Sequence, residues 1–306
     1  MDAISGRPEP EGFLVEIVPG ERIHFLDWGN PGDGAAAGRP GVLLVHGLSA
    51  TAWVWAPVAR RLQASIHTVA IDLRGHGLSD APTSGYTAEQ LAEDVVAVAE
   101  GAGLLPVTGS QVVLAGHGYG AIVATWSALA LGARCAGLVL VDGGWQDLAA
   151  ETGLSPDEWL LEMAEPPGIF SSMSAYLADR RDFDPGSWDG DQERAARSTV
   201  VEVPAGKVVS ATRPHAVAAS VEAMFTYNPI TSLGAVEAPV TALLAADEEG
   251  GRRLAQFAEL DAVRRKAGLG PIRRIDLSTA GHNLMRYRPA EVSAAILAAA
   301  EELAAP

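Results

Sequence analysis

The chain has 306 residues, of which 48% are hydrophobic and 20% charged, and its formal net charge is −16. This length is ample for a large buried core. The acidic balance argues against nucleic-acid binding, because phosphate contacts need clustered lysine and arginine. Cys135 is the single cysteine, so we expect no intrachain disulfide, and a reducing cytoplasm is the expected location.

We expect no association with a membrane. The first residues lack the basic and apolar regions of a signal peptide, and no apolar stretch approaches the roughly 20 residues that span a bilayer. The sequence shows no metal-ligand set and no cofactor loop, so we expect neither a metal nor a cofactor. Whether the chain forms a homodimer stays open.

Short apolar runs alternate with amphipathic segments in the first half of the chain. A leading hairpin is predicted at Phe13–Val18 and Arg22–Trp28, with its turn at Pro19-Gly20. Strands are predicted at residues 41–45, 66–71, 112–115 and 138–141, and helices at 53–62, from 88 to about 102 and at 121–131. This alternation predicts an α/β fold built on a doubly wound, mostly parallel sheet.

The alternation stops after Asp142. Residues 144–236 show no clear buried strand and are rich in tryptophan, methionine, phenylalanine, proline and acids, so we predict an inserted helical cap there. Strands resume at 239–245 and 272–275, with helical stretches from 252 to about 267 and from 289 onwards. The prediction is one core domain, residues 1–143 and 237–306, that carries a cap of residues 144–236.

The most informative motif is Gly116-His117-Gly118-Tyr119-Gly120, between a predicted strand and a predicted helix. Strand, G-x-S-x-G and helix form the nucleophile elbow of hydrolases, but the central residue here is Gly118. An elbow nucleophile has a strained backbone with positive φ, which glycine adopts without strain. A dinucleotide-binding turn is disfavoured, because it needs a longer spacing and follows the first strand of its unit.

Further polar motifs follow the other predicted strands. His46-Gly47-Leu48-Ser49 is a turn whose glycine permits close approach of the backbone to an anion. The turn at residues 72–80, which includes His76, is interpreted as structural. Asp247 follows the strand at 240–245, and His282 follows the last strand, where it is a candidate general base. Asp142 is the rival acid, since it also ends a strand.

With these motifs in this order, the chain resembles α/β-hydrolase-fold proteins of the esterase, C–C hydrolase and haloperoxidase-like branch. The resemblance implies that His282 is the general base and that Asp247 orients its imidazole. It also implies that the backbone N–H groups of Leu48 and Tyr119 form the oxyanion hole. Gly118 occupies the position of the nucleophile, where the family has serine, or aspartate in epoxide hydrolases and haloalkane dehalogenases.

The missing hydroxyl leads to three hypotheses about function. Removing the nucleophile of a serine hydrolase typically costs on the order of 10⁶ in kcat. We interpret the chain as a hydrolase of a hydrophobic small-molecule ester or lactone, inactivated because glycine replaces the native serine. One alternative is a natural serine-less enzyme that uses His282 and Asp247 for non-covalent hydrolysis, lyase chemistry or C–C cleavage. The other is a catalytically inactive, ligand-binding relative.

A large apolar pocket is predicted for the substrate. Its candidate lining residues are Trp53, Trp145, Trp159, Phe170, Met173 and Phe225. Apolar walls with a few polar groups are usual for small-molecule sites. No arginine or lysine cluster lies near the motifs, so we expect a neutral substrate rather than a phosphate or a polyanion.

Overall fold

One eight-stranded sheet organises the molecule. The computed structural model describes residues 9–31, 39–163, 169–204, 206–245, 250–277 and 281–301. The strands of the sheet are β1 (Glu11–Val18), β2 (Glu21–Asp27), β3 (Gly41–Val45), β4 (Thr68–Ile71), β5 (Val112–His117), β6 (Cys135–Val141), β9 (Val240–Ala245) and β10 (Arg273–Leu277). Strands β7 (Val200–Val203) and β8 (Lys207–Ser210) form a separate antiparallel pair.

The sheet is mostly parallel, as the sequence predicts. Its spatial order is β1-β2-β4-β3-β5-β6-β9-β10. The pairs β1–β2 and β2–β4 are antiparallel, and every later pair is parallel. The predicted N-terminal hairpin is therefore confirmed as the antiparallel edge of the sheet.

Helices cover both faces of the sheet. They are α1 (Ala56–Leu62), α2 (Ala88–Gly101), α3 (Tyr119–Leu131), α4 (Leu148–Thr152), α5 (Pro156–Met163), α6 (Met173–Phe183), α7 (Gly190–Ser198), α8 (Pro214–Thr226), α9 (Pro229–Ala235), α10 (Gly250–Lys266), α11 (Leu284–Tyr287) and α12 (Pro289–Glu301). Leu43 belongs to the core beneath α2, α3 and α10, whereas its neighbour Leu44 belongs to the core beneath α1 and α12. Burying such a side chain stabilises the fold by about 1.5–3 kcal/mol.

Local signals place the start of α2. The Thr87 hydroxyl accepts a hydrogen bond from the Gln90 N–H at 3.3 Å, so Thr87 is the N-cap that the sequence predicts. Leu91, Val95 and Val98 are buried along one side of this helix. Their helical spacing is therefore the spacing of a core-facing stripe.

The segment between β6 and β9 is more varied than the predicted all-helical insertion. It holds α4 to α9, but also the β7–β8 hairpin, whose strands are four residues each and largely exposed. Such short strands lack the continuous apolar run that marks a buried strand. At the end of the segment, Leu233 of α9 is buried in the core, and Arg264 of α10 donates to its carbonyl oxygen at 2.6 Å. Helix α9 is thereby fastened to the helical layer of the sheet.

None of the helices in the described part of the chain is both long and apolar enough to cross a bilayer.

Candidate active site

The elbow is a one-residue turn between a strand and a helix. Strand β5 ends at His117 and helix α3 begins at Tyr119, so Gly118 alone reverses the chain, with φ 54° and ψ −118°. A Cβ at Gly116 would overlap the backbone of Gly120, and a Cβ at Gly120 would overlap the carbonyl oxygens of residues 45 and 46. The outer glycines are therefore required because strand and helix approach each other too closely for any side chain.

The missing side chain at position 118 would point at an imidazole. A Cβ built on Gly118 lies 3.1 Å from Nε2 and 3.5 Å from Cε1 of His282, and no other described atom outside its chain neighbours lies within 4 Å. No backbone atom blocks this direction. A hydroxyl or a small molecule placed there would lie within reach of the free nitrogen of His282.

A carboxylate holds the other nitrogen of that imidazole. His282 Nδ1 lies 2.7 Å from Asp142 Oδ2, and Asp142 Oδ1 accepts the backbone N–H of Ala245 at 2.9 Å. In the neutral tautomer whose Nδ1–H donates to the carboxylate, the lone pair is on Nε2, which faces position 118. This is the arrangement of a general base with an orienting acid.

Two acids compete for this role in the sequence, and they follow adjacent strands of the sheet. Asp247, the predicted partner, lies outside the described residues. Asp142, the rival acid, directly follows β6 and is the carboxylate found beside His282. Its φ is +47°, an uncommon conformation for a residue with a side chain. The neighbouring strand β9 supplies the N–H that fixes the second oxygen of Asp142.

The predicted oxyanion donors lie on the same side of the site. Leu48 and Tyr119 both line the cavity above Gly118, and their backbone N–H groups have no acceptor among the described atoms. Ser49, in the same turn as Leu48, has φ +58°. Among the described residues, Ser49 and Asp142 are the non-glycine residues with positive φ. Backbone strain of this kind concentrates at functional sites.

Comparison with known proteins identifies the family of the fold. The model of the alpha/beta hydrolase family matches residues 42–295, which is most of the chain. This chain belongs to the alpha/beta hydrolase family. The match includes the strand before His46, the elbow, and the loop of residues 281–283 around His282, named the histidine loop below. The predicted fold and the recognised resemblance are thus confirmed.

Individual relatives of this chain match shorter segments. The chain is 39% identical over 83 residues to a 2-(acetamidomethylene)succinate hydrolase of Mesorhizobium japonicum. The matched segment covers 27% of this chain and 28% of the relative. It is 32% identical over 115 residues to bifunctional epoxide hydrolase 2 of Sus scrofa, covering 37% of this chain and 18% of the relative. The chain thus matches less than a third of the length of either relative.

Solved structures support the fold over nearly the whole chain. The thioesterase domain of the curacin biosynthetic pathway superimposes with a TM-score of 0.71 at 21% identity, covering 94% of this chain and 99% of that domain. Identity at this level shows the fold alone.

The protein has a cavity of about 530 Å³ over its elbow. The turn of residues 46–49 is named the oxyanion turn after its predicted role. Besides the residues of the elbow, this turn and the histidine loop, the walls are mostly apolar. The lining includes Ala50, Val54, Ile122, Gln146, Leu148, Trp159, Met163, Met224, Asn283 and Met285. Asp142 is the carboxylate in the described lining, and no arginine or lysine is part of it.

Three of the predicted aromatic residues lie in or near this cavity. Trp159 lines the wall, and Phe225 stands behind it with ring centroids 6.3 Å apart. Trp145 is buried beneath the site against Phe257, with ring centroids 5.4 Å apart. Of these three residues, Trp159 is the one in the described lining, Phe225 packs against it, and Trp145 packs against Phe257.

The other predicted lining residues lie elsewhere. The guanidinium of Arg194 stacks on the Trp53 ring at 4.7 Å, where α7 of the insertion meets the core. Phe170 and Met173 pack around Tyr176 and Val208 in a small cluster within the insertion. None of these three predicted residues is part of the described cavity lining.

Sequence reasoning missed several residues that line the cavity. Ile122 lies four residues after Gly118, on the first turns of α3, and Met285 lies three residues after His282. Helical spacing from Gly118 would have found Ile122. It would not have found Met285, because His282 precedes the short helix α11. Gln146 and Leu148 carry no comparable signal, because they follow β6 in irregular chain before α4 or at its start.

Proposed function

We propose that the chain is a hydrolase of hydrophobic small-molecule esters or lactones. In this proposal His282 is the general base, Asp142 orients it, and the attacking group occupies the space beside Gly118. One observation carries the proposal: the side-chain direction at position 118 leads directly to His282 Nε2, at 3.1 Å from a built Cβ. Leu48 and Tyr119 line the same cavity, and in this proposal their backbone N–H groups bind the oxyanion.

Two routes use this geometry. With serine at position 118, the hydroxyl would give its proton to His282 Nε2 and attack the carbonyl carbon, and an acyl-enzyme would form. With glycine, a water molecule in that space would give its proton to Nε2 as it attacks. In both routes the imidazolium, stabilised by Asp142, returns the proton to the leaving oxygen. In the serine route a water molecule then gives its proton to Nε2 and attacks the acyl-enzyme, and the serine oxygen leaves with that proton. The first route corresponds to an inactivated variant, and the second to a natural serine-less enzyme.

The walls of the cavity support a neutral and apolar substrate. The described lining offers no cation for a substrate carboxylate or phosphate. The thioethers of Met163, Met224 and Met285 contribute adaptable apolar surface. Epoxide opening through a covalent ester is not proposed, because that chemistry needs a carboxylate at position 118.

The test uses neutral aryl esters and lactones with three proteins: the chain itself, Gly118→Ser and Gly118→Ser/His282→Ala. If glycine replaces a native serine, Gly118→Ser should raise kcat by at least about 10³-fold and show a burst of one product per enzyme. The added His282→Ala change should remove the burst. Gly118→Ala is the matched control, since it adds a Cβ at the same strained φ without a nucleophile.

The alternative results are equally informative. If the glycine chain already turns over substrate, loses activity with His282→Ala and gains nothing from Gly118→Ser, water is the nucleophile and the site is natural. If every folded variant binds the esters without hydrolysing them, the proposed hydrolase function is wrong and the chain is a ligand-binding relative.

A further inference from the structure

His117 lies between the two loops that complete the site. Its side chain is only 7% exposed. Its Nε2–H donates to the backbone carbonyl of His282 at 3.0 Å, and the two rings have centroids 4.3 Å apart. On its other side, a Cβ at Gly47 would lie 2.9 Å from His117 Nδ1, so the ring also abuts the oxyanion turn. No step of the proposed reaction uses this histidine.

The hydrogen bonds of His117 define its protonation. Because Nε2 donates, Nδ1 carries the lone pair, and that atom is buried without a partner in the described part of the protein. Burial, and secondly repulsion from His282, lower the pKa of His117 to about 3. The ring is therefore neutral at ordinary pH and does not repel the imidazolium that forms on His282. A buried acceptor without a partner destabilises the fold, so its presence calls for a compensating role.

His282 needs such support because its own side chain is 62% exposed. Asp142 holds the imidazole at one nitrogen only. The other neighbours of the ring must therefore limit its rotation towards solvent. The ring of His117 covers one side of it, and the bond to the His282 carbonyl fixes the backbone from which the imidazole extends. The Leu284 N–H donates to the same carbonyl at 3.0 Å.

We propose that His117 is a positioning residue that keeps the His282 imidazole aimed at position 118. The inference rests on the proposed function of His282 as the general base. His117, the residue before the nucleophile position, acts through two contacts: its hydrogen bond to the His282 carbonyl and the packing of its ring against the His282 imidazole.

The kinetic test compares His117→Ala, His117→Gln and His117→Phe in the Gly118→Ser protein. Misplacing the base should lower kcat about 10²-fold in His117→Ala and leave KM within about twofold. Gln keeps an N–H donor and should recover most of kcat, whereas Phe keeps only the ring and should recover part. Recovery by Gln separates positioning from packing, which Phe preserves better.

His76→Gln is the matched control. His76 is also a buried neutral histidine: its Nδ1 bonds the Arg74 carbonyl at 3.0 Å, its Nε2 has no partner among the described atoms, and its pKa is lowered to about 3 by burial. It does not contact His282. This variant should therefore share the loss of a buried imidazole and leave kcat unchanged.

A spectroscopic measurement keeps the test independent of turnover. In the unaltered chain, the Nδ1 proton of His282 between imidazole and carboxylate should give a low-field proton resonance that His282→Ala removes. His117→Ala should broaden it through exchange with water, and His76→Gln should not. A folded His117→Ala protein with unchanged kcat and an unchanged resonance would overturn the inference. If no variant hydrolyses esters, the resonance alone decides, so failure of the proposed function is recognised separately.

Discussion

The carboxyl edge of the sheet and the insertion of residues 144–236 border the same cavity, but they are packed very differently. At the sheet edge, Gly116 and Gly120 leave no room for a Cβ, and His46 and His117 are buried. In the insertion, α5 has no buried residue, and Leu161 on that helix is 77% exposed. The tightly packed sheet edge holds the groups that would do chemistry, and α5, a loosely packed helix of the insertion, supplies apolar wall through Trp159 and Met163.

Polar contacts join the two regions close to the site. Thr51 Oγ1, after the oxyanion turn, lies 2.5 Å from Ser198 Oγ of α7. Arg286, after the histidine loop, donates to the Asp184 carbonyl at 3.0 Å. Because the groups proposed for the chemistry lie at the sheet edge, changes there should act on kcat or on folding. Changes in the insertion, which supplies cavity wall, should act mainly on KM.

The largest expected effect on activity comes from the acid. In the Gly118→Ser protein, Asp142→Asn should lower kcat on the order of 10³–10⁴-fold, because the amide no longer holds His282 in the required tautomer or stabilises the imidazolium. Asp247→Asn should change kcat by less than about threefold. Steady-state kinetics of the two single variants check this, and the opposite pattern would restore Asp247 as the acid.

The close approach at the elbow predicts a loss of stability. Gly120→Ala places a Cβ onto the carbonyl oxygens of Val45 and His46, and overpacking of this kind costs about 1–3 kcal/mol. Gly190→Ala is the control in the insertion, since a Cβ there meets no described atom within 4 Å. Urea unfolding measures both. Equal midpoints for the two variants would contradict the difference in packing between the regions.

The wall formed by the insertion should determine substrate affinity. Trp159→Ala should raise KM for aryl esters about tenfold in the active protein, because an aromatic surface is removed from the cavity, with kcat changed less than about threefold. Phe170→Ala, in the separate cluster of the insertion, should leave KM within about twofold. A kcat loss as large as that of Asp142→Asn would show that Trp159 does more than bind substrate.

Buried histidines at the sheet edge predict a modest acid sensitivity. Burial lowers the pKa of both His76 and His117 to about 3, against roughly 6.5 in the unfolded chain. The folded state thus binds fewer protons between these pH values. The free energy of unfolding should therefore fall as pH decreases from about 6.5 towards 3, and the full contribution of the two histidines should be present above pH 6.5. His76→Gln should flatten this slope in urea titrations at pH 7 and pH 5. An unchanged slope would contradict burial of a neutral His76.

Much of the sheet edge was predictable because its signals are local. The close approach of Gly116 to Gly120 and the Thr87 cap are contacts made within a few residues, and each buried strand is marked by its own apolar run. The choice between Asp142 and Asp247 was not predictable, because both follow strands that are neighbours in the sheet and the decision depends on side-chain geometry.

The insertion was less predictable for a related reason. Its aromatic residues predict packing but do not say against what: Trp159 reaches the cavity, whereas Phe170 joins Tyr176 and Val208. The β7–β8 hairpin escaped prediction because its residues are largely exposed and form no buried apolar run. Where packing is loose, the sequence pattern constrains structure less.

The most direct test of the account is mass spectrometry of the Gly118→Ser protein during turnover of a slowly deacylating aryl ester. The account predicts an acyl adduct that peptide mapping places on residue 118, and its absence from Gly118→Ser/His282→Ala. A folded Gly118→Ser protein without an adduct on residue 118, or with an adduct that forms equally well without His282, would contradict the claim that position 118 faces a working base.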